Sequence, residues 1–435
     1  MTAAAAEWWR PEVPVAPGRT AANSGENTSA APQASSLAYA ALVGFTCVLL
    51  LAPQNLFPAL GKLRLALLMG AVAIVAHVRD RWANALPATN RAGEMKVAAA
   101  LLACSIIGIP FSLWPGGSLA LLLDLYIKSL AVFWLIGNLV DSLDRLRIMA
   151  WTLTLLTAAL SLVGIFNYVS GVFAQTLDRR IVGYDAGLTR NPNDLALMIN
   201  LIIPITIALL LSSQSAFERL TLAGLVVIQA IAVVLTFSRA GFLTLATILG
   251  LFALRLVRRP GKGLVFAGLL GAFFAIPFVP PAYVDRLLTL GAIGADPTGS
   301  AQARWTGMVA SVEHAVDHPF LGAGLGMNIL VLNESVGATW RVVHNTYLEY
   351  AVDLGLPGAA LFIALLWRCL KSARAARTRS AGEVSQLAEG VEISLVGFAV
   401  AAFFCPVAYA FYFFYIAGLA VGVKQVSERE FAVAS

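Results

Sequence analysis

The sequence predicts an all-α polytopic membrane protein, with about twelve spanning helices and one long loop outside the membrane. Three observations carry this. Of 435 residues, 59% are hydrophobic and only 12% are charged, and the mean hydropathy is +0.79, outside the balance of a water-soluble domain. Apolar runs of roughly 17 to 25 residues recur from Leu37 to Val423, the length a helix needs to cross about 30 Å of hydrocarbon. The alternating ten-residue segments of a membrane β-barrel are not seen in the sequence.

The expected spans are 37–53, 60–78, 97–114, 119–140, 148–169, 194–212, 220–237, 241–257, 263–281, 345–367, 391–408 and 410–423. They divide the chain into an N-terminal tail, 1–36, nine helices within 37–281, a long loop 282–343, three helices within 344–423 and a tail 424–435. The first tail is rich in Ala, Pro, Ser and Asn and lacks the apolar core of a signal peptide, so it is expected to be disordered. Twenty of the thirty Lys and Arg residues fall on the side that holds both tails. The positive-inside rule therefore predicts two cytoplasmic termini and a loop 282–343 that faces away from the cytoplasm.

The net charge of +6 is spread in short clusters between apolar runs, so nucleic acid is not the expected partner. Cys47, Cys104, Cys369 and Cys405 fall in or beside apolar segments at separations that suggest neither a disulfide framework nor a CxxC site. No internal repeat or matched pair of interrupted helices marks an inverted-repeat transporter.

The long outer loop is the natural place for chemistry. Trp305, Met308, Val309, Val312 and Val316 recur near the helical period, which predicts an amphipathic helix over Ser300–Asp317, ended by Pro319. Gly322-Ala-Gly-Leu-Gly326 follows without the strand context of a dinucleotide site and reads as loop geometry. His314 and His318 have a helical ligand spacing but no third ligand at a diagnostic distance, so no metal and no cofactor is expected. Asp124 and Lys128 are placed to pair at i, i+4 inside a span.

His344 opens the tenth span at the outer interface, where an imidazole can accept a proton from a hydroxyl. Arg239, in Phe237-Ser-Arg239-Ala-Gly241, and Arg190, before Asn191-Pro192-Asn193, stand on the same outer side. Arginines set against the positive-inside trend invite an anion, and their planar fork suits a phosphate. Pairing with Asp185, Asp194, Asp285, Glu334 or a lipid phosphate would explain each of them singly.

Taken together, Arg304-Trp305, His318-Pro-Phe-Leu-Gly322-Ala-Gly324-Leu-Gly326, His344-Asn345-Thr-Tyr347-Leu and Gly355-Leu-Pro357-Gly358 resemble the bacterial O-antigen ligase and polymerase family. Asn191-Pro192-Asn193 and Ser238-Arg239-Ala-Gly241 look like further family features. The resemblance implies a fold related to the GT-C type lipid-linked glycosyltransferases. It also implies metal-independent, inverting transfer of a glycan from undecaprenyl pyrophosphate on the periplasmic face of the inner membrane. The acceptor would be lipid A-core in the ligases, or another lipid-linked glycan in the polymerases of O-antigen or exopolysaccharide; the ligase branch is favoured. It assigns His344, Arg304 and Arg239 as catalytic, and Arg190, Arg341, Asn345, Tyr347 and Arg180 as substrate-binding. A protein O-oligosaccharyl ligase and a secondary transporter remain competing readings.

Overall fold

Apolar helix faces cannot stay in water, and polar backbone cannot stay in lipid, so the chain resolves into helices bundled side by side. The computed structural model describes residues 34–90, 92–172, 180–182, 188–189, 191–257, 300–337 and 341–434, and among them no strand occurs. From Ala34 onward these residues form one unit. The helices are α1 (Ser36–Leu51), α2 (Leu65–Ala83), α3 (Gly93–Gly108), α4 (Pro115–Leu139, with a π turn at Leu122–Tyr126), α5 (Leu143–Val169), α6 (Pro192–Ser212), α7 (Ala216–Leu235) and α8 (Arg239–Val257). After the loop come α9 (Ser300–Asp317), α10 (Asn328–Val336), α11 (Thr346–Arg379), α12 (Gly382–Ala401) and α13 (Phe411–Ala434). Among the described residues, nine helical segments are long and apolar enough to span a membrane; α1 is a shorter apolar helix. The chain is a multi-pass membrane protein.

Helix starts follow their sequence signals. Asn191 caps α6 with Pro192 in the first turn, Ser142 caps α5, and Ser215 caps α7 three residues before Glu218. The centre of the bundle is α6, whose apolar window is 83% buried, packed along α12 at 72%; α2, at 6%, is a peripheral helix that faces outward. Gly390 of α12 leaves room for the Pro204 carbonyl of α6, so the two backbones approach closely.

The expected span 263–281, the stretch 282–299 of the loop and the tail up to residue 33 lie outside the described residues. The span expected at 391–408 differs from what is found. Its helix, α12, starts nine residues earlier and ends at Ala401, and a non-helical turn fills 402–410. The early start is possible because Glu389 and Glu392 are buried against arginines. The early end has equally plain causes. Pro406 cannot continue a helix, and the carbonyls of Ala402, Cys405 and Ala408 accept hydrogen bonds from Thr346 N, Thr346 Oγ1 and Tyr350 Oη instead.

α11 is two helices joined at a break. Gly355 has φ 69° and ψ −177°, so the N–H of Leu356 and the carbonyls of Val352 and Asp353 turn outward to the segment that follows α9. Ala323 N donates to Val352 O at 2.7 Å, Gly324 N to Asp353 O at 2.9 Å, and Leu356 N to Pro319 O at 2.8 Å. A Cβ on Gly322 would lie 2.7 Å from the Asp353 carbonyl carbon, and one on Gly355 would lie 2.6 Å from the Phe320 carbonyl carbon. The two glycine motifs, thirty residues apart, are the two halves of one interlock. The reading of the first as loop geometry thus acquires a physical reason.

Candidate active site

α9 has the bounds that its apolar spacing predicts, and it is two-faced. Trp305, Val309, Val312 and Val316 are exposed along one stripe, whereas Ala303, Arg304 and Gly307 face a cleft completed by Leu332 of α10 and by Arg341, Val342 and His344. The cleft volume is about 200 Å³. Among the described residues its lining carries three basic side chains, Arg304, Arg341 and His344, a composition suited to an anion.

His344 sits just ahead of α11, whose start is fastened to the turn 402–410 through Thr346. Its Nδ1 lies 2.9 Å from the Val342 carbonyl. A carbonyl only accepts, so Nδ1 carries the proton and Nε2 is left as the basic nitrogen. Burial lowers the His344 pKa from the ordinary 6.5, and the charges of Arg304 and Arg341 lower it further. The imidazole is therefore held neutral at neutral pH, the state a general base needs.

Arg239 opens α8, outside that lining. Phe237 takes a left-handed conformation, φ 51°, which is costly for a bulky residue and re-aims the chain into Ser238 and Arg239. Ser238 Oγ then donates to Asn193 Oδ1 at 2.8 Å and accepts from Gly241 N at 3.1 Å. Arg180 joins the same group, donating to Asn193 Oδ1 at 2.9 Å and to Thr236 O at 3.0 Å. Two arginines therefore share one end of the bundle with the first turn of α6. Cys405, in the turn 402–410, has its thiol pKa pushed up by burial and by the charge of Asp194, against the opposing charge of Arg304.

Two expected binding residues have internal partners. Asn345 Oδ1 caps α11, accepting from Tyr347 N at 3.0 Å and Leu348 N at 3.1 Å, and Tyr347 Oη donates to Ala399 O at 2.8 Å. Arg190 lies outside the described residues. His314 and His318 stack with ring centroids 4.3 Å apart, and among the described residues no group of three or more His, Cys, Asp or Glu side chains could hold a metal. Asp124 and Lys128 approach to 4.0 Å, a loose pair.

Sequence reasoning passed over Asp353, Asn328 and Tyr409. The signal was an acid inside an apolar run, two residues before Gly355-Leu-Pro357-Gly358.

All of the cleft lies within one stretch of chain that is similar to known proteins. Residues 224–363 match the O-antigen ligase family. None of the curated proteins matches this chain. The matched stretch covers about a third of the sequence and contains Arg239, Arg304, Arg341 and His344, together with both halves of the glycine interlock. It supports a ligase- or polymerase-type enzyme that handles lipid-linked glycans in a membrane.

Proposed function

We propose that the protein is an O-antigen ligase-like glycosyltransferase, moving a glycan from undecaprenyl pyrophosphate to lipid A-core on the periplasmic face of the inner membrane. The observation that carries this is the cleft in which Arg304, Arg341 and a neutral His344 converge, inside the stretch matched to the O-antigen ligase family. In this reading both termini are cytoplasmic, and the loop 282–343 is the scaffold that roofs the site.

The chemistry follows from those groups. His344 Nε2 takes the proton of the acceptor hydroxyl, whose oxygen attacks the anomeric carbon. The bond from that carbon to the pyrophosphate oxygen breaks, and its electron pair leaves on the pyrophosphate. Arg304 and Arg341 stabilise the charge gathering there, and Arg239 acts from the neighbouring cluster. Pyrophosphate is a good leaving group, so the mechanism calls for no metal, and a single displacement inverts the anomeric centre. The polyprenyl chain stays in the bilayer, alongside the exposed apolar stripe of α9.

Reconstitution with undecaprenyl-pyrophosphate-linked glycan and purified lipid A-core tests the reading. New high-mass lipopolysaccharide is the expected product. Longer lipid-linked glycan instead would make the protein a polymerase, and uptake without any transfer would make it a transporter.

A further inference from the structure

A base that must hold one tautomer needs its backbone held as well. We propose that Asn328 and Asp353 are positioning residues for His344, a relay that runs from the break in α11 to the imidazole and rests on the base role given above. Asp353 is fully buried, and its carboxyl group accepts from four donors: Asn328 N at 2.7 Å, Asn328 Nδ2 at 3.1 Å, Gly326 N at 3.0 Å and Tyr409 Oη at 2.9 Å. The Asn328 side chain, 2% exposed, is thereby fixed in rotamer and in amide orientation, with Oδ1 pointing away from the carboxyl group. That oxygen accepts from Val343 N at 3.1 Å. Val343 stands between the Val342 carbonyl, which holds His344 Nδ1–H, and His344 itself. One side chain thus locks the tripeptide that chooses the tautomer.

Several neighbours point the same way. Asp353 lies two residues before Gly355, so the break in α11 frees the local backbone to bind the glycine loop while the carboxyl group organises α10. Asn328 is the first residue of α10, and Leu332 of the same helix lines the cleft. The arrangement ties α10 and the segment that carries His344 to one buried acid. Neither Asn328 nor Asp353 is among the residues that line the cleft, so they act through His344 and not on substrate.

The chain has four histidines, His77, His314, His318 and His344, so the full-length protein carrying a histidine-free affinity tag and labelled with ¹⁵N-histidine reports each imidazole by NMR. His344→Ala assigns the signal. The wild type is expected to show His344 protonated at Nδ1 at neutral pH. Asn328→Ala is expected to mix the two tautomers and to lower kcat for glycan transfer by on the order of 10- to 100-fold, with KM for the donor nearly unchanged, because misplacing a base costs turnover and not binding. Ser118→Ala is the control. It removes a bond to the same glycine loop, Ser118 Oγ to Leu325 O at 3.0 Å, and should move neither reading.

An Nε2-protonated His344 in the wild type overturns the relay. So does Asn328→Ala with an unmoved tautomer, whether kcat is kept or lost, since a loss would then be general loosening. If Asn328→Ala does not fold, hydrogen exchange of the wild-type Val343 amide decides: strong protection supports the relay, and exchange at the rate of an open loop overturns it. Full transfer activity in His344→Ala would remove the base assignment alone, and a tautomer shift in Asn328→Ala would still support the relay.

Discussion

The two ends of the helix bundle use arginine in opposite ways. At the end formed by the close of α8 and α11 and the start of α5 and α12, arginines meet carboxylates that are buried or, at Glu383, half-buried. Glu392 takes Arg377 at 2.7 Å, Arg374 at 3.0 Å and Arg255 at 3.1 Å; Asp141 takes Arg145 at 3.0 Å and Arg429 at 3.2 Å; Arg147 pairs with Glu383. At the other end, Arg304 and Arg341 line a cleft together with His344. A cation that meets a buried acid closes a helix joint, and its charge is spent. Cations gathered on a cavity wall direct a positive potential into space that an anion can enter. The difference is what singles out the cleft as the candidate site.

The sharpest way to break the comparison is at the cleft. His344→Ala should cut transfer by about 100- to 10,000-fold, the range for a lost general base, in enzyme that inserts and folds normally; a variant with full transfer activity would end the base assignment. Arg304→Lys keeps the charge and loses the fork, and should still cost roughly 100-fold in kcat if the arginine stabilises the departing pyrophosphate. Activity retained with lysine would reduce Arg304 to a point charge.

At the opposite end the expected effect is on stability. Glu392→Gln leaves three arginines facing a neutral amide and should lower stability by about 3 kcal/mol, read as a drop in the thermal midpoint in detergent. It should leave kcat per folded molecule unchanged. A lowered kcat with an unchanged midpoint would mean that this end also serves the reaction.

Hydropathy and the arginine pattern made the bundle legible, because lipid enforces helices of a set length. Where the rule failed, at 391–408, local chemistry overrode it: Glu389 and Glu392 are tolerated inside a helix only because arginines from other segments reach them, and pairing at that distance leaves no trace in an apolar average. The candidate site had visible marks in the sequence. Arg304, Arg341 and His344 stood out as outer cations and do share a cleft. Asn345 and Tyr347 were conspicuous for the same motif, yet their polar atoms serve a helix cap and the Ala399 carbonyl. Asp353 and Asn328, twenty-five residues apart, become partners only once Gly355 breaks α11, a three-dimensional event that spacing does not encode.

The smallest expected effect is also the most discriminating. The His344 pKa is lowered from 6.5 by burial and by its two arginine neighbours, so the neutral form persists below the usual histidine range and protonation sets in only on further acidification. Between about pH 5 and 8, kcat/KM should therefore stay level through neutrality and fall only below 6.5. Arg304→Gln removes one of the charges that disfavour imidazolium. Its residual activity should consequently begin to fall at a higher pH than in the wild type, since the pKa moves back toward 6.5. Glu392→Gln, at the far end of the bundle, should not move the acid limb at all. A wild-type limb above 6.5, or one that Arg304→Gln leaves in place, would show that the group titrating is not an imidazole under the field of this cleft.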